Sequence, residues 1–224
     1  MSSPSGSTAT STEPGPHGGT GGRVAGLITA IGSAIYLAGL AVPVGGDVYE
    51  AIGEDDDAGA LALLQDSGTE WDTAIALSAV GIVVAAAGLW LLGRAAARVS
   101  GQLRVQRAGA TTAWLGLFSG IGVIGQVWLI VASPQDIVDG LGSAPLVIVG
   151  GLTTSVGLLG VFIGLGLALV WLRHLRALGW VLMVLGTITI PTHAFLGPPF
   201  SYLLLLIAGV ILAIAPVRDN STAK

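Results

Sequence analysis

The side chains able to do chemistry are few and scattered. The chain has three histidines and no cysteine, which removes thiolate metal sites, a cysteine nucleophile, a disulfide framework and a cysteine-linked lipid anchor. His174 and His193 read as opposite ends of one helix, about 28 Å apart along its axis, too far to ligate one ion. His17 lies in a Ser/Thr/Gly/Pro segment. Ser119 and Gly120 fall near the middle of another apolar run, away from His193 and with no nucleophile motif around them, so a Ser–His hydrolase is not assembled.

The acidic run after Asp47 is the remaining candidate. Aligning Asp55 with the first position of an EF-hand loop puts Asp57 at the third. Gly59 then takes the fifth, Ala60 replaces the glycine of the sixth, and Asp66 replaces the glutamate of the twelfth. Asp57 capping a short amphipathic helix that carries Leu61 and Leu64 and ends near Gly68 accounts for the same residues. Two readings stay open, a divalent-cation site and a solvated anionic surface. No catalytic residue, metal set or cofactor fingerprint emerges, and the chain reads as non-enzymatic with no cofactor.

A set of polar side chains recurs at one depth of the apolar runs: Gln126, Thr153, Thr154, Ser155, Thr187, Thr189, Thr192 and His193, with Tyr36 and Tyr202 at a comparable level. Gln126, Thr154 and His193 form a candidate polar cavity, open to the outer side, for a small solute or lipid headgroup. Pro191, just before His193, frees a carbonyl and bends its helix. Hydrogen bonding between helices, or back to the carbonyl four residues earlier, explains the same residues without a ligand.

The elements that would position these groups follow from composition. Of 224 residues, 53% are hydrophobic and 10% charged, against about 25% charged in soluble domains. The apolar residues gather into six runs of membrane-spanning length: Val24 to Val44, Thr73 to Gly93, Gly109 to Ala132, Pro145 to Trp171, Ala177 to Leu196 and Phe200 to Val217. The sequence therefore predicts an all-α polytopic membrane protein with six transmembrane helices over residues 23–217. A disordered tail is expected at 1–22 and a short cytoplasmic tail at 218–224. The first run is too long for a signal-peptide core and lacks a small-x-small cleavage site, and Ser2 does not fit a myristoylation signal. The fourth run, about 40 Å as a straight helix, must tilt, bend near Gly150–Gly151 or protrude. Only Gly197, Pro198 and Pro199 separate the last two, which predicts a tight hairpin of neighbours.

Charge orients the bundle. All nine basic residues lie in alternate loops or at the ends: Arg94, Arg98, Arg104 and Arg107 between the second and third runs, Arg173 and Arg176 between the fourth and fifth, and Arg23, Arg218 and Lys224 at the flanks. Eleven of the thirteen acids lie on the other side, from Asp47 to Asp72 and at Asp136 and Asp139. The positive-inside rule puts both termini in the cytoplasm. Trp71 and Trp128 fall near outer ends, and Trp90, Trp114, Trp171 and Trp180 near inner ends, as interfacial anchors do. The segment Arg94 to Ala108 reads as an inner loop whose arginines set topology or attract anionic lipid. No Asp, Glu, Lys or Arg lies mid-span, which disfavours proton-driven pumps and antiporters. A net charge of −4 leaves no footprint for nucleic acid.

The 35 glycines recur with other small residues at four-residue spacing: Ala30, Ala34 and Ala38; Gly116 and Gly120; Gly160 and Gly164. Such ridges let helix backbones approach, within one bundle or between copies as a homo-oligomer seam.

The long first outer loop, the basic second loop, and the fourth span running through Trp171-Leu172-Arg173-His174-Leu175-Arg176-Ala177-Leu178-Gly179-Trp180 into a glycine-containing fifth give a layout over most of residues 23 to 217. That layout resembles a family of uncharacterised bacterial six-span membrane proteins, a domain of unknown function. The resemblance implies a bacterial inner membrane location and transfers no active-site residue. Arginine outnumbers lysine eight to one, as in proteins of high-GC genomes. The expected function is that of a non-enzymatic membrane protein working through helix contacts with itself or a membrane partner in the lipid bilayer. The alternative is a small-solute facilitator or channel using the outer polar cluster.

Overall fold

The computed structural model describes residues 18–140, 143–173, 175–196 and 199–217, with side chains at 189–196 outside the described part. Every regular element among them is an α-helix. Helix α1 (Gly18–Leu40) is followed by α2 (Pro43–Gly53) and α3 (Asp57–Asp66), and the long α4 (Thr69–Val99) then returns. Next come α5 (Leu103–Gly120), α6 (Val123–Val131) and the short α7 (Pro134–Gly140). The chain ends with α8 (Pro145–Trp171), α9 (Arg176–Leu196) and α10 (Pro199–Ile214).

Local sequence sets several of these boundaries. Pro43 and Pro145 open their helices, at positions where a missing N–H costs nothing. Asp56 caps α3 by accepting the Gly59 N–H at 3.0 Å. The cap is therefore Asp56, one residue before the expected Asp57, which lies inside the first turn. Gly68 joins α3 to α4 at φ 53° and ψ −118°, a conformation that a Cβ makes costly.

Four stretches are long and apolar enough to cross a membrane: Thr20–Leu40, Thr69–Val99, Leu103–Val131 and Pro145–Trp171. The apolar helices Arg176–Ile188 and Pro199–Ile214 are shorter. Small residues set the spacing and direction of the seams between helices. A Cβ on Gly32 would lie 2.7 Å from Ala85 Cα, one on Gly39 2.6 Å from Ser78 Oγ, and one on Gly81 or Gly88 would strike the backbone of Tyr36 or Thr29. Residue numbers rise on α1 as they fall on α4, so the two run antiparallel in near backbone contact. The same reading holds for α4 with α5 through Gly93 and Gly109, α5 with α8 through Ser119 and Gly157, and α8 with α9 through Gly166 and Gly179. It holds again for α1 with α10 through Gly26 and Gly209. In space the helices follow the order α9, α8, α5, α4, α1, α10, and the ends of this row also touch. A shared core of Leu89, Leu92, Phe162, Leu165, Leu182, Tyr202, Leu205 and Leu212 fills the bundle.

A second core caps the acidic end. Val48 of α2, Leu64 of α3, Trp71 and Ile75 of α4, Leu129 of α6 and Ile137 of α7 bury one another there. Trp71 is 4% exposed, and its indole N–H points to the Leu129 carbonyl at a long 3.4 Å. It is a core residue of this cap, where the sequence reading made it an interfacial anchor. Apolar partners from three short helices cover it before lipid can.

Other expectations change in the same way. Residues 18–22, read as part of the tail, open α1, while residues 1–17 lie outside the described part. The supposed loop Arg94 to Ala108 shrinks to Ser100–Gln102, because α4 and α5 continue past the apolar stretch as basic helical ends. The third run is interrupted at Ile121–Gly122. There the N–H groups of Ile121, Gly122, Ile124 and Gly125 bond to carbonyls three residues back, as a glycine-rich stretch permits. By contrast α8 passes through Gly150–Gly151 unbroken. The turn expected between the last two helices lies at 197–198, outside the described residues; among the described residues α10 touches α9 and lies chiefly along α1.

Candidate functional site

Thr154 of α8 is 8% exposed and faces the interruption between α5 and α6. Its hydroxyl lies 2.9 Å from the Gly150 carbonyl and 3.3 Å from the Ser119 carbonyl of the neighbouring helix. The Ser119 carbonyl already accepts the Gly122 N–H of the 3₁₀ turn at 3.1 Å, and Thr154 lies at longer range to the same oxygen, a contact between α8 and α5. Gly122 and Gly150 make room beside it: a Cβ on Gly150 would lie 3.1 Å from the Gly122 carbonyl oxygen. Gln126 is half-buried one turn further along α6. His193 belongs to the helical backbone of α9, and its side chain is outside the described residues, as are those of Thr189, Pro191 and Thr192. His174 is also outside them.

The other deep hydroxyls are used locally. Thr29, Ser33, Ser78, Thr112 and Thr187 each donate to the carbonyl four residues earlier, at 2.6 to 2.9 Å, and Ser119 donates to Gly116 three residues back. Such bonds satisfy a hydroxyl without help from water. Thr153, half-buried, bonds to the Val149 and Gly150 carbonyls of its own helix. Tyr36 and Tyr202, matched in the sequence by depth alone, meet in the core: their rings stack with centroids 3.8 Å apart and planes 22° from parallel. That contact joins α1 to α10, away from α6.

The glycine ridges face neighbouring helices of the same chain. Gly116 and Gly120 lie against Leu89 and Ala86 of α4, and Gly160 and Gly164 against Leu115 and Thr112 of α5. The acidic segment Asp57–Asp66 is helical and its carboxylates are exposed. That removes the loop an EF-hand requires, and no three His or carboxylate groups among the described residues converge as a metal site.

The arginine end pairs guanidinium groups with indole rings. The Arg94 guanidinium lies 4.9 Å from the Trp90 ring centroid, and that of Arg104 lies 5.7 Å from the Trp171 ring centroid. Both distances suit a cation–π contact. The first pair is spaced i, i+4 on one helix and could have been read from the sequence; the second crosses from α5 to α8. All described carboxylates are at the other end of the bundle, so these arginines face no anionic side chain among the described residues. No protein-family model, curated protein or solved structure matches this chain.

Proposed function

We propose that the chain is a six-span protein of a bacterial inner membrane, with both termini on the cytoplasmic side. We further propose that it works without catalysis, through contacts of its outer helix faces with a second copy or another membrane protein. The observation that carries this reading is the closure of the bundle interior among the described residues. Small residues bring neighbouring backbones together at the α1–α4, α4–α5, α5–α8, α8–α9 and α1–α10 seams, and the described deep hydroxyls such as Thr29 and Thr154 are bonded to helix carbonyls. Chemistry is then left to the outside. Large apolar side chains such as Val131, Leu152, Trp114 and Ile188 are more than half exposed there. Helices α9 and α10 share the core of the four long helices and continue their alternation of direction, which supports counting them as spans. The arginine end then meets the positive-inside rule.

The facilitator reading needs Thr154 free to meet a solute, and its two carbonyl contacts count against it. The absence of native cysteine makes labelling direct. Cysteine placed at Gln65 or Gln135 should react with an impermeant maleimide in intact cells, whereas cysteine at Gly101 or Ser221 should react only after permeabilisation. Labelling of Ser221→Cys from outside overturns the orientation. For the contact role, cysteines at Leu152 and Ile188 should crosslink to a second copy or a partner in native membranes. A protein that stays uncrosslinked and monomeric at both positions overturns it.

A further inference from the structure

At the arginine end, the outer surface of the α5–α8 seam opens into a groove of about 780 Å³. Its mouth is polar. Arg104, Arg107 and Gln102 stand on one side and Trp171 on the other; the Arg104 Nε–H donates to Gln102 Oε1 at 3.2 Å. Below the mouth the walls are mainly apolar, with Leu115 on α5 and Ile163 and Leu167 on α8, and Thr111 adds one hydroxyl. The floor is Gly160 and Gly164, and a Cβ on Gly160 would run into the Leu115 side chain. A Cβ on Gly164 would likewise run into Thr112, so the two glycines let α8 lie close against α5 and add no side chain to the floor.

Three features specify an occupant. The arginines have no carboxylate partner at this end among the described residues, and a cation–π contact with Trp171 orients Arg104 without neutralising it. The groove runs from Arg104 to Leu115 on α5 and from Trp171 to Gly160 on α8, about 16 Å at the helical rise. That is close to half of a ~30 Å hydrocarbon core, the depth of one leaflet. Its polarity also changes in the order a lipid requires, with charge at the mouth and hydrocarbon beneath.

We infer that this groove holds an anionic phospholipid, its phosphate between Arg104 and Arg107 and one acyl chain along the Gly160–Gly164 trough. The inference rests on the membrane reading above and adds to it a defined lipid site. The Arg94 and Arg98 side of the same end supplies an internal comparison. Its cavity is smaller, about 340 Å³, and apart from Gly21 is lined by one stretch of α4 from Trp90 to Val99. It offers similar charge without a trough.

The test uses the full chain in non-ionic detergent, exposed to equal amounts of dioleoylphosphatidylglycerol and dioleoylphosphatidylcholine. Bound lipid is then resolved by native mass spectrometry. The wild-type protein should retain phosphatidylglycerol over phosphatidylcholine by roughly tenfold to thirtyfold, as two basic residues at a membrane surface give. R104Q/R107Q should abolish the preference and R94Q/R98Q should keep it. L167W, which fills the trough and leaves both charges, should lower retention of either lipid at this site, and thermal unfolding of each variant checks that it is folded. Glycerol 3-phosphate, which has the headgroup chemistry and no chain, should not displace the lipid. The site is overturned by equal retention of both lipids, by a preference that survives R104Q/R107Q, or by displacement with glycerol 3-phosphate, which would make it a soluble-anion site. A protein that still needs detergent while failing these tests loses only the groove; one that stays dispersed without detergent loses the membrane reading itself.

Discussion

Gly68 and Trp71 show how single residues hold the acidic cap. Gly68 turns α3 into α4 in a backbone conformation that disfavours any Cβ, so Gly68→Ala should cost about 1–3 kcal/mol. The cost should appear as a lower melting temperature of the detergent-solubilised protein. Trp71 fills the centre of the cap, and Trp71→Ala should cost about 3–5 kcal/mol. Its signature should be faster protease cleavage between α2 and α4, with the arginine end still protected. The sequence revealed these residues only in part. Tryptophan near a span end looks the same whether it meets headgroups or a cap, and only the apolar stripes of α2, α3 and α7 distinguish the two. Thr154 was visible as a polar residue at depth. Its contact with Ser119 was not, because the accepting carbonyl belongs to another helix 35 positions away.

At the scale of elements, hydrophobic runs located the apolar helices and understated their length. Arg94, Arg98, Arg104 and Arg107 belong to helical ends: hydropathy marks where lipid begins, while the backbone hydrogen-bond ladder continues into water. The glycine pattern was legible as a packing signal, and the partner of each ridge was not, since spacing along one helix carries no information about its neighbour. The structure makes that signal site-specific. Gly32 lies against the Ala85 backbone whereas Gly151 has open space where a Cβ would be. Gly32→Leu should therefore abolish a stable fold or sharply lower its melting temperature, and Gly151→Leu should change it little. Equal effects of the two substitutions would mean that the α1–α4 seam is not packed as described. Gly160→Leu combined with Gly164→Leu should likewise loosen α5 from α8, read as a lower melting temperature at unchanged assembly size.

For the molecule as a whole, the segregation of charge was plain from the sequence: arginine at one end, carboxylate at the other, and neither between. What could not be read was the order of helices around the bundle. Chain adjacency suggested α10 beside α9, yet its main partner is α1, through Gly26, Gly209 and the stacked Tyr36 and Tyr202. That choice has a consequence in time. If the helices enter a membrane in the order in which they are synthesised, as the proposed six-span reading implies, α1 inserts first and holds its Gly26–Ala30 face against lipid or a chaperone until its partner is made. Only when α10 arrives does that face find its partner, and the earliest part of the bundle is the last to be completed.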